Sequence, residues 1–225
     1  MGFWSSVFTI VKKDLVLELQ GKEIVTTNCF FALLVLVVFN FAFDMSALEI
    51  KKSAAGLLWI AFFFAGSLTM NQSFLHEKEN DCLSALMLAP LDRSSIYVGK
   101  MIVNLILMML AELMIITIFI FLFNVNVMER FFWQLASLLF GTTGFIIVGT
   151  LIAAISVNLR AKEILGPLLM FPVVVPVVIA AVSFSDGLIN GESMEGLYAW
   201  LKILIAFDII YLVVSLLVFE KLVEE

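Results

Sequence analysis

The sequence predicts an all-α, polytopic membrane protein that forms one domain, residues 1–225, and crosses a lipid bilayer six times. Apolar residues make up 63% of the chain and charged residues 14%, whereas a soluble domain carries about 45–50% and about 25%. The mean hydropathy is +1.12. Six runs reach the length of about 20 mainly apolar residues that spans the hydrocarbon core. In lipid such runs must be helices, because every backbone polar group needs an internal partner.

The six predicted spans alternate with short polar breaks. They are residues 24–43, 54–74, 101–123, 132–156, 164–184 and 197–219. With the N-terminus inside, nine of the 13 Lys and Arg residues fall on the cytoplasmic side, so the positive-inside rule places both termini in the cytoplasm. Trp59, Trp133 and Trp200 then lie near outer helix ends, where interfacial tryptophans are expected.

A further helix is predicted before the first span, over residues 2–20. Its apolar side chains recur at intervals of three and four residues: Trp4, Phe8, Val11, Leu15 and Leu19. This spacing predicts an amphipathic helix that lies in the plane of the inner membrane surface. The alternative is an ordinary polar leader.

The longest polar break holds a short amphipathic helix, at about residues 77–90. Acidic residues open this helix, which suits the positive end of a helix dipole, and a proline closes it. The candidate docking residues are Glu77, Lys78, Glu79, Asp81, Leu83, Leu86, Met87, Pro90 and Arg93. The pattern is typical of a helix laid into the groove of a soluble partner, and equally of a helix that lies flat on lipid.

Two spans carry residues that shape the backbone. Span five contains Pro167, Pro172 and Pro176, each of which removes a backbone donor and favours a kink or break. A re-entrant pair of half-helices is one alternative, and a static, packed kink is the other. Span four places small residues at four- and eight-residue intervals, which predicts close contact between helices: Ser137, Gly141, Gly149 and Ala153.

Two acidic residues lie near the middle of predicted spans, Glu112 in the third and Asp208 in the sixth. A charged carboxylate at the bilayer centre is unfavourable by several kcal/mol, so each should be protonated, paired or turned toward protein. A proton relay is one interpretation. The other is a buried hydrogen bond between helices, for example between Glu112 and Asn104 of a neighbouring subunit.

Several chemistries are excluded by what the sequence lacks. It has no G-x-x-x-x-G-K-[ST] motif to cradle ATP phosphates, and its single histidine, His76, excludes multi-histidine metal sites. The net charge is −6, and no basic patch interleaved with aromatic residues indicates nucleic-acid binding. The sequence therefore predicts no catalytic residues, no metal site and no nucleic-acid partner.

A set of short motifs occurs in a fixed order along almost the whole chain. They are Lys12-Lys13-Asp14-Leu15, Glu18-Leu19, Glu77-Lys78-Glu79, Leu86-Met87-Leu88-Ala89-Pro90-Leu91-Asp92-Arg93, Ile96-Tyr97, Gly99-Lys100, Arg160, Glu163 and Phe171-Pro172 with Pro176. In residue identity and order they resemble the CcmB family, the haem exporter protein B of cytochrome c maturation. This protein is a permease-type subunit of an ABC transporter complex.

This resemblance implies a homodimer bound to two copies of a cytosolic ATPase in the bacterial inner membrane. The helix at 77–90 would be the coupling helix seated in the ATPase, residues 2–20 the elbow helix, and Arg160 and Glu163 part of a cytoplasmic loop. The family complex also includes a haem-handling membrane protein, a small single-span protein and a periplasmic haem chaperone. ATP with Mg²⁺ would be bound by the ATPase and haem by the partner subunits, with no cofactor on this chain.

Two other functions are compatible with the sequence. The same ABC architecture could move a different cargo, such as a lipid, a polysaccharide or a drug. A proton-coupled secondary carrier that uses Glu112 and Asp208 is a third hypothesis.

Overall fold

Seven α-helices make up the part of the chain that the computed structural model describes, which is residues 2–21, 23–42, 47–73, 92–125, 130–156 and 162–222. They are α1 (Phe3–Gly21), α2 (Glu23–Ala42), α3 (Ala47–Ser73), α4 (Arg93–Phe123), α5 (Phe131–Ser156), α6 (Lys162–Asn190) and α7 (Met194–Leu222). The prediction of an all-helical fold is confirmed.

Four of these helices are long and apolar enough to cross a membrane: α4, α5, residues Leu168–Asn190 of α6, and α7. Residues Thr26–Ala42 of α2 form a shorter apolar helix. Many large apolar side chains of α6 and α7 point away from the bundle, among them Leu168, Ile179, Ile209 and Leu217. In water such a surface would favour aggregation, whereas in a bilayer it is the surface that faces lipid.

The helices extend beyond several of the predicted spans. α3 begins at Ala47, and Lys51 and Lys52 are exposed within it. α6 continues to Asn190, past residue 184, where the fifth predicted span ends. Hydropathy marks the stretch that suits hydrocarbon, whereas a helix ends where its backbone hydrogen bonds end.

The centre of the bundle is α5, which packs against α3, α4, α6 and α7. Its small residues let the neighbours approach, as the sequence predicts. A Cβ atom on Gly141 would strike the ring of Trp59 and lie 3.0 Å from the Cβ of Ala181, and the Oγ of Ser137 lies 2.8 Å from that of Ser185. Small residues on α5 therefore allow α3 and α6 to pack closely on it.

Replacing Gly141 with alanine should lower the free energy of unfolding by about 1–3 kcal/mol, because the added methyl group overpacks a rigid indole. Gly56→Ala is the matched control, since a Cβ there meets nothing within 4 Å and helix propensity favours alanine by up to about 1 kcal/mol. Reversible unfolding in mixed detergent micelles, followed by circular dichroism, measures both variants. Equal effects at the two positions would contradict the packing argument.

The helix predicted before the first span is present as α1, but the side chains that pack on the bundle are not the predicted apolar stripe. Val7 and Ile10 are each 3% exposed, whereas Trp4 and Phe8 are 73% and 70% exposed. Two residues of the predicted stripe thus point away from the protein, Val11 and Leu15 are half-buried, and a second face, which includes the acidic Asp14, packs on α4. The orientation of α1 in the membrane plane stays a prediction.

Span five does not form a re-entrant pair of half-helices. Residues Lys162–Asn190, with all three prolines, form one continuous α-helix. Pro172 and Pro176 are exposed on its surface. The alternative of a break in this span is therefore wrong, while a hinge role for Pro167, Pro172 and Pro176 stays a prediction.

Candidate functional site

The first two turns of α4 are bound to another helix by a buried ion pair. The Nζ of Lys100 lies 2.9 Å from Oδ2 of Asp14 in α1, and the two side chains are only 6% and 7% exposed. The Nζ of Lys13, 42% exposed, lies 3.1 Å from the other oxygen of the same carboxylate. A charge withdrawn from water is stable only when it is paired, so this pair fixes α1 against α4.

The same two turns of α4 contact three helices in all. Ile10 of α1 packs so closely on Gly99 that an added Cβ would come within 2.8 Å of it. The hydroxyl of Ser94 donates a hydrogen bond to Oε1 of Glu220 in α7. The buried hydroxyl of Tyr97 donates to the carbonyl of Ile147 in α5 at 2.8 Å. We call the set Ser94, Tyr97, Gly99 and Lys100 the α4 anchor.

The α4 anchor brings α1 close to the last turn of α7. Asp14 belongs to the N-terminal helix, and Glu220 lies two residues before Leu222, the last described residue. Since both contact the start of α4, α1 and the last turn of α7 lie at the same end of the bundle. This end carries the charged contacts of the structure that join α1, α4 and α7.

The predicted docking helix lies immediately before the α4 anchor in the chain, but outside the described residues. Of the predicted docking set only Arg93 is described, as the exposed first residue of α4. Glu77, Lys78, Glu79, Asp81, Leu83, Leu86, Met87 and Pro90 lie outside the described residues, as does Arg160. Glu163 falls in the first turn of α6, with its side chain not described.

Glu112 is buried, 2% exposed, and is paired within its own chain. Thr142 of α5 donates a hydrogen bond to its Oε1, while Oε2 has no hydrogen-bond partner among the described residues. Asn104 likewise has an internal partner, since its amide donates to Oγ1 of Thr150 at 3.2 Å. Within one chain both side chains are therefore hydrogen-bonded to α5, and a bond between Glu112 and Asn104 of a neighbouring subunit stays a prediction.

Asp208 is 8% exposed in the middle of α7. Its carboxylate packs against the backbone of α5, where an added Cβ on Gly144 would lie 2.6 Å from Oδ1. Neither carboxylate oxygen has a hydrogen-bond partner within the described ranges. Both intramembrane acids thus face α5 rather than lipid, as expected for ionisable groups in a span.

A second polar cluster lies inside the bundle, and the sequence interpretation missed it. The indole N–H of Trp59 donates to Oγ of Ser185 at 2.9 Å, and Ser137 and Gln134 contact the same hydroxyl. Trp59 is only 2% exposed, so its assignment to an interfacial belt is wrong. Ser185 follows Ala181 at helical spacing, so it lies on the same buried face of α6. This periodicity in the sequence could have indicated that Ser185 belongs to a buried cluster.

The sequence was compared with known proteins. Residues 5–224 match the family described as CcmB protein. The relatives found include "Heme exporter protein B" of Rhodobacter capsulatus, 26% identical over 76% of this chain and 78% of that protein. The proteins of the same name from Pseudomonas aeruginosa and Bradyrhizobium diazoefficiens are 24% and 22% identical, over 90% and 94% of this chain and 91% and 94% of their own lengths.

Proposed function

The chain belongs to the CcmB family, and from this membership we propose that it is the permease subunit of a haem-export complex that serves cytochrome c maturation. The match over residues 5–224 is the observation that carries the proposal. Relatives named "Heme exporter protein B" align over two thirds or more of both chains, and the apolar helices make a multi-pass membrane location plain.

We propose that the subunit works by coupling to an ATPase that it does not itself contain. A partner ATPase binds ATP and Mg²⁺ and also binds the segment at 77–90. The bundle couples the resulting movement to haem delivery or to release of a haem-loaded periplasmic chaperone. The position of the α4 anchor supports this mechanism. It begins at Ser94, four residues after the proposed coupling helix ends, and joins that end of α4 to α1, α5 and α7.

The proposed assembly is a homodimer in the bacterial inner membrane with six spans per subunit and both termini in the cytoplasm. The shared location of α1 and the end of α7 at one end of the bundle supports termini on the same side. Two ATPase copies, a haem-handling membrane protein and a small single-span protein complete the complex.

Deletion and complementation test the function directly. A strain that lacks this chain should lose haem-stained c-type cytochromes, and expression of the chain should restore them. If the stain is unchanged on deletion, the cargo is not linked to cytochrome c, and an ABC exporter for a lipid, polysaccharide or drug becomes the better assignment.

Glu112→Gln separates the proposed mechanism from a proton-coupled carrier. Glutamine has nearly the same shape and its amide oxygen can still accept the hydrogen bond from Thr142, but it cannot carry a proton. Under the proposed mechanism, c-type haem staining should stay within about twofold of the wild-type level. Loss of staining by Glu112→Gln, with normal membrane insertion and normal binding of the ATPase, would instead support the carrier.

A further inference from the structure

The half of α1 that faces away from the bundle carries its side chains in two rows. In the first row, Trp4, Phe8 and Lys12 follow one another at intervals of four residues, and all three are exposed. The second row is polar and also exposed: Ser5, Thr9 and Lys13. Because residues four apart lie on one face of a helix, an aromatic edge and a polar edge run side by side along α1.

The two rows and the buried face give α1 three different surroundings. Ile10 and Asp14 face α4, so this side of the helix is covered by protein. Trp4 and Phe8 present large apolar rings on a second side, and the hydroxyl and ammonium groups lie on the third. A helix at the surface of a bilayer needs apolar rings on one side and polar, basic groups on the other.

The contacts of α1 also indicate its depth in the membrane. Ile10 packs on Gly99. Asp14 pairs with Lys100, and the apolar run of α4 begins at the next residue, Met101. This part of α1 therefore lies beside the level at which hydrocarbon begins, where the lipid phosphates are found. Tryptophan is enriched at this level in membrane proteins.

The charges on the outward half of α1 are positive. Lys12 and Lys13 are exposed there. Of the two acidic residues of α1, Asp14 is buried against Lys100 and Glu18 is half-buried. A lysine can lay its stem along an apolar surface while its ammonium group stays among polar groups, and lysines at a membrane surface attract anionic lipids.

The depth, the aromatic edge and the sign of the charge point to one occupant. We propose that the outward half of α1 is a binding site for the headgroup of an anionic phospholipid, with Lys12 at the phosphate and Trp4 and Phe8 among the upper acyl chains. The site goes beyond an in-plane orientation of α1, because it assigns a choice of lipid to Lys12. It does not depend on the proposed function, since it follows from the contacts of α1 with α4.

Retention of lipid tests the role of Lys12. The full chain is purified in detergent with an equimolar mixture of phosphatidylglycerol and phosphatidylcholine, and native mass spectrometry measures which lipid it keeps. The parent chain should prefer phosphatidylglycerol. Lys12→Gln should lower this preference about fivefold, the factor that corresponds to one basic residue at an anionic surface, and Lys12→Arg should keep it. Both variants should fold, because the Lys12 side chain is exposed.

Lys51→Gln is the matched control for Lys12→Gln. Lys51 is also an exposed lysine beside a second exposed lysine, Lys52, but it belongs to α3. Each variant removes one positive charge, so only a site on α1 separates them, and Lys51→Gln should keep the preference of the parent chain. Equal losses in the two variants would show a general attraction between lysines and anionic lipid and overturn the proposal, as would an unchanged preference in Lys12→Gln.

Fluorescence of Trp4 identifies what covers the outward half of α1. The full chain and its Trp4→Phe variant are reconstituted into vesicles of phosphatidylglycerol and phosphatidylcholine whose acyl chains are brominated near the headgroup. Bromine quenches indole fluorescence on contact, so the parent chain should lose more fluorescence than Trp4→Phe. Equal quenching would overturn the proposal, because Trp4 then does not meet lipid. Quenching of Trp4 that disappears as the protein-to-lipid ratio rises would also overturn it and identify a second copy of the chain as the occupant.

Discussion

Lys100→Met should lower the free energy of unfolding by about 3 kcal/mol, near the lower end of the range for breaking a buried ion pair. The substitution removes the buried cation at 2.9 Å from Asp14 and leaves that carboxylate, 7% exposed, between α1 and α4. Lys13 still reaches the other carboxylate oxygen at 3.1 Å, which keeps the loss from being larger. Reversible unfolding in mixed micelles measures the change.

Lys13→Met is the matched control for Lys100→Met. Both lysines contact the same carboxylate, but Lys13 is 42% exposed, and exposed pairs contribute about 0–1 kcal/mol. The double variant Asp14→Leu/Lys100→Met should be more stable than Lys100→Met alone, because it leaves no buried charge without its partner. Equal losses from Lys13→Met and Lys100→Met would show that burial of the pair is not what fixes α1 on α4.

The ion pair also shows what the sequence alone could not predict. Lys12-Lys13-Asp14 and Gly99-Lys100 stand out as motifs, but 85 residues lie between Asp14 and Lys100 in the chain. The periodicity within one helix does not indicate which other helix it packs against. The apolar residues predicted to share one face of α1 include Trp4 and Phe8, which face outward, whereas Val7 and Ile10 are buried. In a membrane protein an apolar face can contact lipid or protein, so hydropathy does not distinguish the two.

Elements set by local chemistry were more predictable. The apolar runs at 101–123 and 132–156 lie within α4 and α5, because length and composition alone define a helix in lipid. The small residues of α5 mark close contacts at Gly141 and Ser137. The sequence places Glu112 and Asp208 within apolar spans, and both lie inside the helices α4 and α7. Their neighbours, Thr142 and Gly144, could not be predicted, because these contacts depend on how α5 packs between α4 and α7.

The coupling segment is the part of the proposed site that rests on sequence pattern, and its test is binding rather than folding. Leu83, Leu86 and Met87 form the apolar face of the predicted helix at 77–90. If this face is buried in a groove of the ATPase, the α4 anchor that follows it in the chain receives any movement of the helix and passes it to α1, α5 and α7.

Leu86→Asp should therefore abolish co-purification with the ATPase while the protein still inserts into the membrane. Full burial of a leucine contributes about 1.5–3 kcal/mol, and a carboxylate in its place adds a desolvation penalty of several kcal/mol. Together these weaken the complex by at least about 100-fold, since every 1.4 kcal/mol is about tenfold. Glu79→Lys, which reverses a charge in the same segment, should act in the same direction.

Leu222→Asp is the matched control for Leu86→Asp, because it places the same carboxylate at the end of α7, where the leucine is already 37% exposed. It should retain the ATPase at the wild-type level. A helix that lies flat on lipid predicts the opposite outcome: Leu86→Asp would keep the ATPase bound, because the changed side chain would then face headgroups rather than a protein groove. Undiminished binding by both Leu86→Asp and Glu79→Lys would remove the proposed coupling role from this segment, and with it the proposed route by which ATP hydrolysis reaches the α4 anchor.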